Sequence, residues 1–336
     1  MTTYLLLAGG LMLLVVGGEL LVRGASDTAA RLGMSPLLIG LTLVGFGTSA
    51  PELVTSVEAS LMGSPGIALG NIVGSNIANI LLILGIAALI APMAVSEKAL
   101  RRDGSFVLAT AMLFVVIGLL LPYDLIVGVL LLSLLALYLF HAYRQEAAGA
   151  TAGHTAAFKK VEAHDELLDG HARDAAATGA SPDVSSILIP LGIAVAGLVV
   201  VILGGRLLVT AAIEMARQLH ISEGVIGLTI VSIGTSLPEL VTSVIAALRR
   251  HSDVALGNIL GSNIYNILGI GGATAAIAPT VIPPEILRFD AMVMVGASIA
   301  LLLIARTGWR IGRWEGGALL AAYGFYLFVI WPSATV

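Results

Sequence analysis

Apolar residues dominate this chain in long unbroken runs. Runs of roughly 18 or more such residues can cross a bilayer as helices. Ten are predicted, over 4–22, 35–61, 66–91, 106–121, 125–143, 187–212, 223–248, 254–278, 287–305 and 315–330. The second, third, seventh and eighth are long enough to be tilted or broken, and polar residues interrupt these four. The second holds Gly45-Phe46-Gly47-Thr48-Ser49-Ala50-Pro51-Glu52-Leu53, and the third Gly70-Asn71-Ile72-Val73-Gly74-Ser75-Asn76-Ile77-Ala78-Asn79. The seventh holds Gly234-Thr235-Ser236-Leu237-Pro238-Glu239-Leu240, and the eighth Gly257-Asn258-Ile259-Leu260-Gly261-Ser262-Asn263-Ile264-Tyr265-Asn266. Unpartnered polar groups are costly in hydrocarbon, so such clusters in membrane helices mark functional sites.

The pattern predicts an all-α polytopic membrane protein. Composition agrees: 58% of the 336 residues are hydrophobic and 11% charged, against about 25% charged in soluble domains. The absence of cysteine removes disulfides and thiolate metal sites. A net charge of −4 implies no nucleic-acid partner. The start, Met1-Thr2-Thr3-Tyr4-Leu5, lacks a basic region and a small-residue cleavage site, so the first run reads as a retained helix. The one long polar stretch, 144–186, is rich in Ala, Gly, His, Asp and Glu and reads as a solvated, flexible linker. All basic residues except Arg206, Arg217 and Arg288 fall near the loops joining helices 1–2, 3–4, 5–6, 7–8 and 9–10. The bias of Lys and Arg toward the cytoplasm then puts those loops and the linker inside and both termini outside.

At an offset of 187 residues the chain matches itself without a gap from Gly17 to Pro92. Ile39-Gly40-Leu41-Thr42 meets Ile226-Gly227-Leu228-Thr229, and Leu53-Val54-Thr55-Ser56-Val57 meets Leu240-Val241-Thr242-Ser243-Val244. Five helices per half is an odd number, so the second half enters the membrane from the opposite side. The loop charges agree: Arg23 and Arg31 match Thr210 and Gln218, while Arg249 and Arg250 match Met62 and Gly63. The predicted organisation is a first five-helix repeat over 1–143, a linker over 144–186 and an inverted second repeat over 187–336. Inverted repeats typify secondary transporters, whose ion sites lie near the bilayer midplane at the repeat interface.

The paired motifs carry oxygen and nothing softer. Pro51 and Pro238 free helical carbonyls around Gly45 and Phe46 and around Ser232 and Ile233, and these need protein, water or a cation. Glu52 and Glu239 supply up to two negative charges, enough for one calcium ion or two sodium ions. Thr48, Ser49, Thr235, Ser236, Ser75 and Ser262 offer hydroxyls, and Asn79 and Asn266 offer amides. Hard cations take such ligands, six to eight of them for calcium, while zinc or copper would want His or Cys. Thr48 and Ser49 precede Glu52 by four and three residues, so all three share a helix face if the helix persists. Asn71, Asn76, Asn258 and Asn263 fall on other faces and read as interhelical hydrogen-bonding groups. Gly66, Gly70 and Gly74, like Gly257 and Gly261, allow close helix approach. Glu19 and Arg206 occupy equivalent positions and are expected to pair.

At these motifs the sequence resembles the cation/calcium exchanger superfamily, and within it the prokaryotic sodium/calcium exchangers. The resemblance covers nearly the whole chain. It implies ion sites between helices 2, 3, 7 and 8. The implied ligands are Thr48, Ser49, Glu52, Ser75 and Asn79, with Thr235, Ser236, Glu239, Ser262 and Asn266, joined by the carbonyls of Gly45 and Ser232. It also implies that helices 1 and 6 slide against the rest during alternating access. Some relatives carry aspartate at the position of Asn266; the amide here implies transport without potassium.

The resulting expectation is a multi-pass plasma- or inner-membrane antiporter exchanging sodium for calcium, working as a monomer in the bilayer with no cofactor beyond its transported ions. Proton/calcium antiport through the same glutamates is the alternative. A channel would need rings of subunits rather than an inverted repeat. An enzyme is not expected, since no nucleophile–base pair or nucleotide loop is present.

Overall fold

The computed structural model describes residues 2–32, 34, 45–147, 154–167 and 184–331. The beginning of the second expected span, 35–44, lies outside them. The described chain is helical apart from turns and one two-residue strand pair, Met93–Ala94 with Arg310–Ile311.

In chain order the helices are α1 (Thr2–Arg31), α2 (Ala50–Leu61), α3 (Pro65–Ala78), α4 (Ser105–Leu120), α5 (Leu125–Ala147) and α6 (Ala156–Leu167). They continue as α7 (Val184–Leu219), α8 (Glu223–Ile226, running on through Gly227–Val231 to Ser232–Thr235), α9 (Leu237–Leu248), α10 (Ser252–Ile264), α11 (Ala291–Arg306) and α12 (Arg313–Ile330). Helices α3 and α10 each pass into a wide π turn, at Asn79–Ile83 and Tyr265–Ile270, before ending as Leu84–Ile90 and Gly271–Ile277. Such turns leave some carbonyls without an ordinary helical partner and often mark functional sites.

The helices sort by what their side chains face. Every residue from Gly66 to Ala78 is buried, as is every residue from Val254 to Ile264. These two helices form the centre. Long α1 and α7 lie along one another at the outside, with Leu5, Met12, Leu188 and Ile189 exposed. Exposing a large aliphatic side chain to water forfeits about 1.5–3 kcal/mol, so these faces suit a lipid surround. Among the described residues six helices are long and apolar enough to cross a membrane, seven if α8 and α9 form one bent span. The molecule is an all-α membrane protein.

Small residues set the central packing. A Cβ on Gly70 would lie 2.8 Å from the Gly224 carbonyl oxygen, and one on Gly74 would lie 2.6 Å from that of Leu228. Backbone therefore meets backbone between α3 and α8, as the glycine spacing predicts.

The linker departs from expectation. Within 144–186 the stretch Ala156–Leu167 is helical, and Ala156, Ala157, Lys160 and Ala163 on it are buried. The Ala156 backbone and the Lys159 and Lys160 stems approach Gly257 and Gly261 of α10 closely, so little apolar bulk is needed to bury this helix.

Candidate cation site

The broken helices α8–α9 and the turn before α2 place the two carboxylates. The axes of α8 and α9 differ by 50°. Ser236 (φ −85°, ψ 11°) is the residue before α9, and Ser49 (φ −97°, ψ 13°) stands before α2. Pro51 and Pro238 thus fall in the first turn of their helices, where a missing N–H is no loss. The prolines start new helices rather than kinking continuous ones. The nearby carbonyls are partly engaged: Phe46 accepts from the Ser49 amide at 3.1 Å, and Ser232 from the Ser236 amide at 3.1 Å. The Thr48 hydroxyl donates to the Gly45 carbonyl at 3.3 Å, and Thr235 to that of Ser232 at 3.4 Å. Glu52 and Glu239 lie in the first turns of α2 and α9, where the helix dipole favours negative charge.

Both glutamates are buried, at 1% and 2% exposure. Each is held by the opposite motif: Ser236 Oγ donates to Glu52 Oε1 at 3.1 Å, and Ser49 Oγ donates to Glu239 Oε1 at 3.4 Å. The asparagines form the floor. Asn71 Nδ2 donates to Ser56 Oγ at 2.9 Å and to the Glu52 carbonyl at 3.2 Å. Asn258 Nδ2 donates to Ser243 Oγ at 2.9 Å and to the Glu239 carbonyl at 3.4 Å. Thr235 Oγ1 donates to Asn71 Oδ1 at 3.0 Å, and Asn79 Nδ2 to Asn263 Oδ1 at 2.9 Å. Asn71, Asn258 and Asn263 therefore bond between helices, as expected, whereas Asn76 Nδ2 donates at 2.8 Å to the Ile72 carbonyl one turn back in its own helix and its Oδ1 has no partner.

Of the oxygens read from the motifs, five are buried without a hydrogen-bond partner, Glu52 Oε2, Glu239 Oε2, Ser75 Oγ, Asn79 Oδ1 and Asn266 Oδ1, as are Asn76 Oδ1, Thr55 Oγ1 and others elsewhere among the described residues. Each unsatisfied group costs about 1–3 kcal/mol, more when charged. All five belong to the oxygen set read from the motifs, and the set fits a hard cation. No group of three or more His, Cys, Asp and Glu able to hold a metal occurs among the described residues, so any cation here is held largely by neutral oxygens. Gly45, Ser232 and Ser262 are buried beside the motifs, while Thr48 lines a cavity of about 530 Å³ with Glu19, Pro51, Lys160, His164 and Glu239.

Two contacts were not expected. Glu19 and Arg206 do not pair: Arg206 Nε reaches Glu58 at 3.2 Å, joining α7 to α2, while Glu19 lies 4.0 Å from His164. Burial first, then the Lys160 charge, hold His164 down at about 4, so that contact is not an ion pair at neutral pH. The larger surprise is Lys160, 1% exposed, whose ammonium donates to Ser262 Oγ at 2.6 Å and to Glu239 Oε1 at 3.3 Å. The signal for it was legible: Ala156, Ala157, Lys160, Ala163 and His164 fall on one face of a 3.6-residue period.

The chain matches the family model described as sodium/calcium exchanger protein over residues 2–144 and 189–331. It is 36% identical to the sodium/calcium exchanger MaX1 of Methanosarcina acetivorans, covering 97% of this chain and 98% of that one. It is also 36% identical to the inner membrane protein YrbG of Escherichia coli, covering 97% and 94%. Among solved structures, that of the sodium-calcium exchanger NCX_Mj soaked with 10 mM Na+ and zero Ca2+ matches with a TM-score of 0.58 and 33% identity, over 96% of this chain and 97% of that one.

Proposed function

The chain belongs to the sodium/calcium exchanger family, and from that premise we propose that it is an antiporter exchanging sodium for calcium by alternating access. The observation that carries the reading is the crossed pair, Ser236 on Glu52 and Ser49 on Glu239, beside buried oxygens without partners. Two carboxylates and neutral oxygens suit one calcium or two sodium ions, and both loads cannot occupy the same carboxylates together. The ligands are Thr48, Ser49, Glu52, Ser75 and Asn79 with Thr235, Ser236, Glu239, Ser262 and Asn266, and the carbonyls of Gly45 and Ser232. An ion-free pair of carboxylates is costly to seal in a low-dielectric interior, so only a loaded site passes between faces.

In this reading ten spans form two inverted five-helix repeats, 1–143 and 187–336, joined by a cytoplasmic linker, with both termini outside a cell membrane. The monomer is the working unit. Helices α1 and α7 move against the rest. With an amide at Asn266, potassium plays no part. The protein carries ions and catalyses no covalent chemistry.

The experiment is calcium uptake into proteoliposomes under an imposed sodium gradient, then a proton gradient, with Glu52→Gln and Glu239→Gln as controls. Sodium-driven uptake, lost in both variants and unchanged when potassium is replaced by choline, is expected. Uptake that follows protons and ignores sodium selects proton/calcium antiport instead.

A further inference from the structure

Tyr123 enters the core from the turn between α4 and α5. Its neighbour Asp124 caps α5, Oδ1 accepting from the Ile126 and Val127 amides at 3.0 and 3.3 Å. The first turn of α5 then meets Gly271–Ile277 backbone to backbone: a Cβ on Gly128 would lie 2.6 Å from the Ala276 amide nitrogen. The Tyr123 carbonyl accepts from the Thr280 amide at 3.0 Å, and its ring meets Phe114 edge-on with centroids 6.1 Å apart. The side chain held in this way is buried, yet its hydroxyl has no hydrogen-bond partner. That hydroxyl lies beside the end of the π turn that carries Asn266. A Cβ on Gly271 would lie 2.6 Å from Tyr123 Oη and 3.6 Å from the Asn266 carbonyl oxygen. The Gly271 amide already donates to that carbonyl, which has a second lone pair to offer. Only a glycine admits the hydroxyl so close. At the 187-residue offset Leu84, buried, stands at the place of Gly271, and Arg310, exposed and paired with Ala94, at the place of Tyr123. A buried hydroxyl without a partner is costly, so carbon at this point, as at Leu84, would favour stability. The turn at Asn266 gives that up and keeps a phenol.

We propose that Tyr123 is a positioning residue for the ion site: as a cation draws Asn266 Oδ1 toward itself, the Tyr123 hydroxyl donates to the Asn266 carbonyl and fixes the turn. The inference rests on the antiport reading, which makes Asn266 a ligand. Asn266 Oδ1 is itself buried without a partner, so nothing holds it back from the ion. Tyr123 acts through the backbone of Asn266 and touches no ion. Its bond belongs to the loaded state, so it adds to affinity and not to the stability of the unloaded protein. The tie exists at Asn266 and not at Asn79, where leucine fills the space, so the two half-sites are unequal although their ligands match.

Tyr123→Phe removes the hydroxyl and keeps the ring. Its thermal midpoint is measured in detergent across a calcium titration, and calcium uptake is measured in proteoliposomes. Without ions the midpoint should hold or rise, since an unpartnered polar group is gone. Half-saturating calcium should rise about twofold to tenfold in both assays, the worth of one hydrogen bond. Unchanged affinity, whatever the midpoint, overturns the proposal. Weaker binding with a lowered ion-free midpoint marks general damage and overturns it too. Gly271→Ala gives a second check. Its Cβ would strike the hydroxyl, so alone it should weaken binding. In Gly271→Ala/Tyr123→Phe that clash is gone, and binding should be no weaker than in Tyr123→Phe; losses that add in the pair overturn the tie. Bound ions raise the midpoint, so the two readings separate. If calcium and sodium leave the wild-type midpoint unmoved and neither gradient drives uptake, the antiport reading falls and the proposal with it. Wild type that binds ions, with Tyr123→Phe unaltered, removes the proposal alone. Uptake driven by protons, with the same loss of affinity in Tyr123→Phe, keeps the proposal and rejects sodium coupling.

Discussion

Ser49 and Ser236 each donate one hydrogen bond to a carboxylate across the site. A hydrogen bond to a charged group contributes about 1.5–3 kcal/mol, which is roughly 10- to 100-fold in affinity. Ser236→Ala should therefore weaken half-saturating calcium by about that factor, with Ser49→Ala similar or milder at its longer distance, as read by uptake in proteoliposomes. The bond at Ser236 could not be assigned from spacing, because sequence periodicity places Ser49 and Glu52 on one helix face and says nothing of Ser236. The 187-residue offset marked both pairs as equivalent, but only the fold shows that they cross. The oxygen set itself was legible, since few residue types other than Glu, Ser, Thr and Asn interrupt those apolar runs.

Helix packing explains which parts of the fold were readable. Glycines at every fourth position signalled the close approach of α3 and α8, and their Cβ positions would overlap backbone. Gly74→Ala should lower the thermal midpoint in detergent, since overpacking of this kind costs about 1–3 kcal/mol. The helix α6 escaped composition-based reading because low hydrophobicity argues against a core, whereas here alanines suffice against glycines. The second span, expected to be tilted or broken, is broken at Thr48 and Ser49: one helical segment ends at Gly47 and α2 starts at Ala50.

At the scale of the molecule, the proposed alternating access moves α1 and α7, which lie along one another, as one unit against the remaining helices. Gln218 Nε2 donates to Thr3 Oγ1 at 3.1 Å within the unit, while Arg206 pairs with Glu58 between units. Sliding of one unit on the other predicts opposite results for two bridged cysteine pairs. Thr3→Cys/Gln218→Cys should remain active when bridged, and Arg206→Cys/Glu58→Cys should stop calcium uptake until reduced. Activity in the second bridged pair would mean that α2 and α7 travel together.

The crossed serines also constrain how the protein is made. Glu52 waits for a partner 184 residues farther along the chain. At about 5–20 residues per second, that is roughly 10–40 s of synthesis during which a carboxylate has entered the bilayer without its hydroxyl. Placing an acidic residue at mid-membrane costs about 2.5–3.5 kcal/mol on insertion scales. The first half is thus a poor free-standing product: ribosomes stalled before Ser236 should yield nascent chains that stay beside the insertion machinery and are degraded on release. Supplying the second half as a separate polypeptide should rescue them, because assembly rather than insertion completes the site.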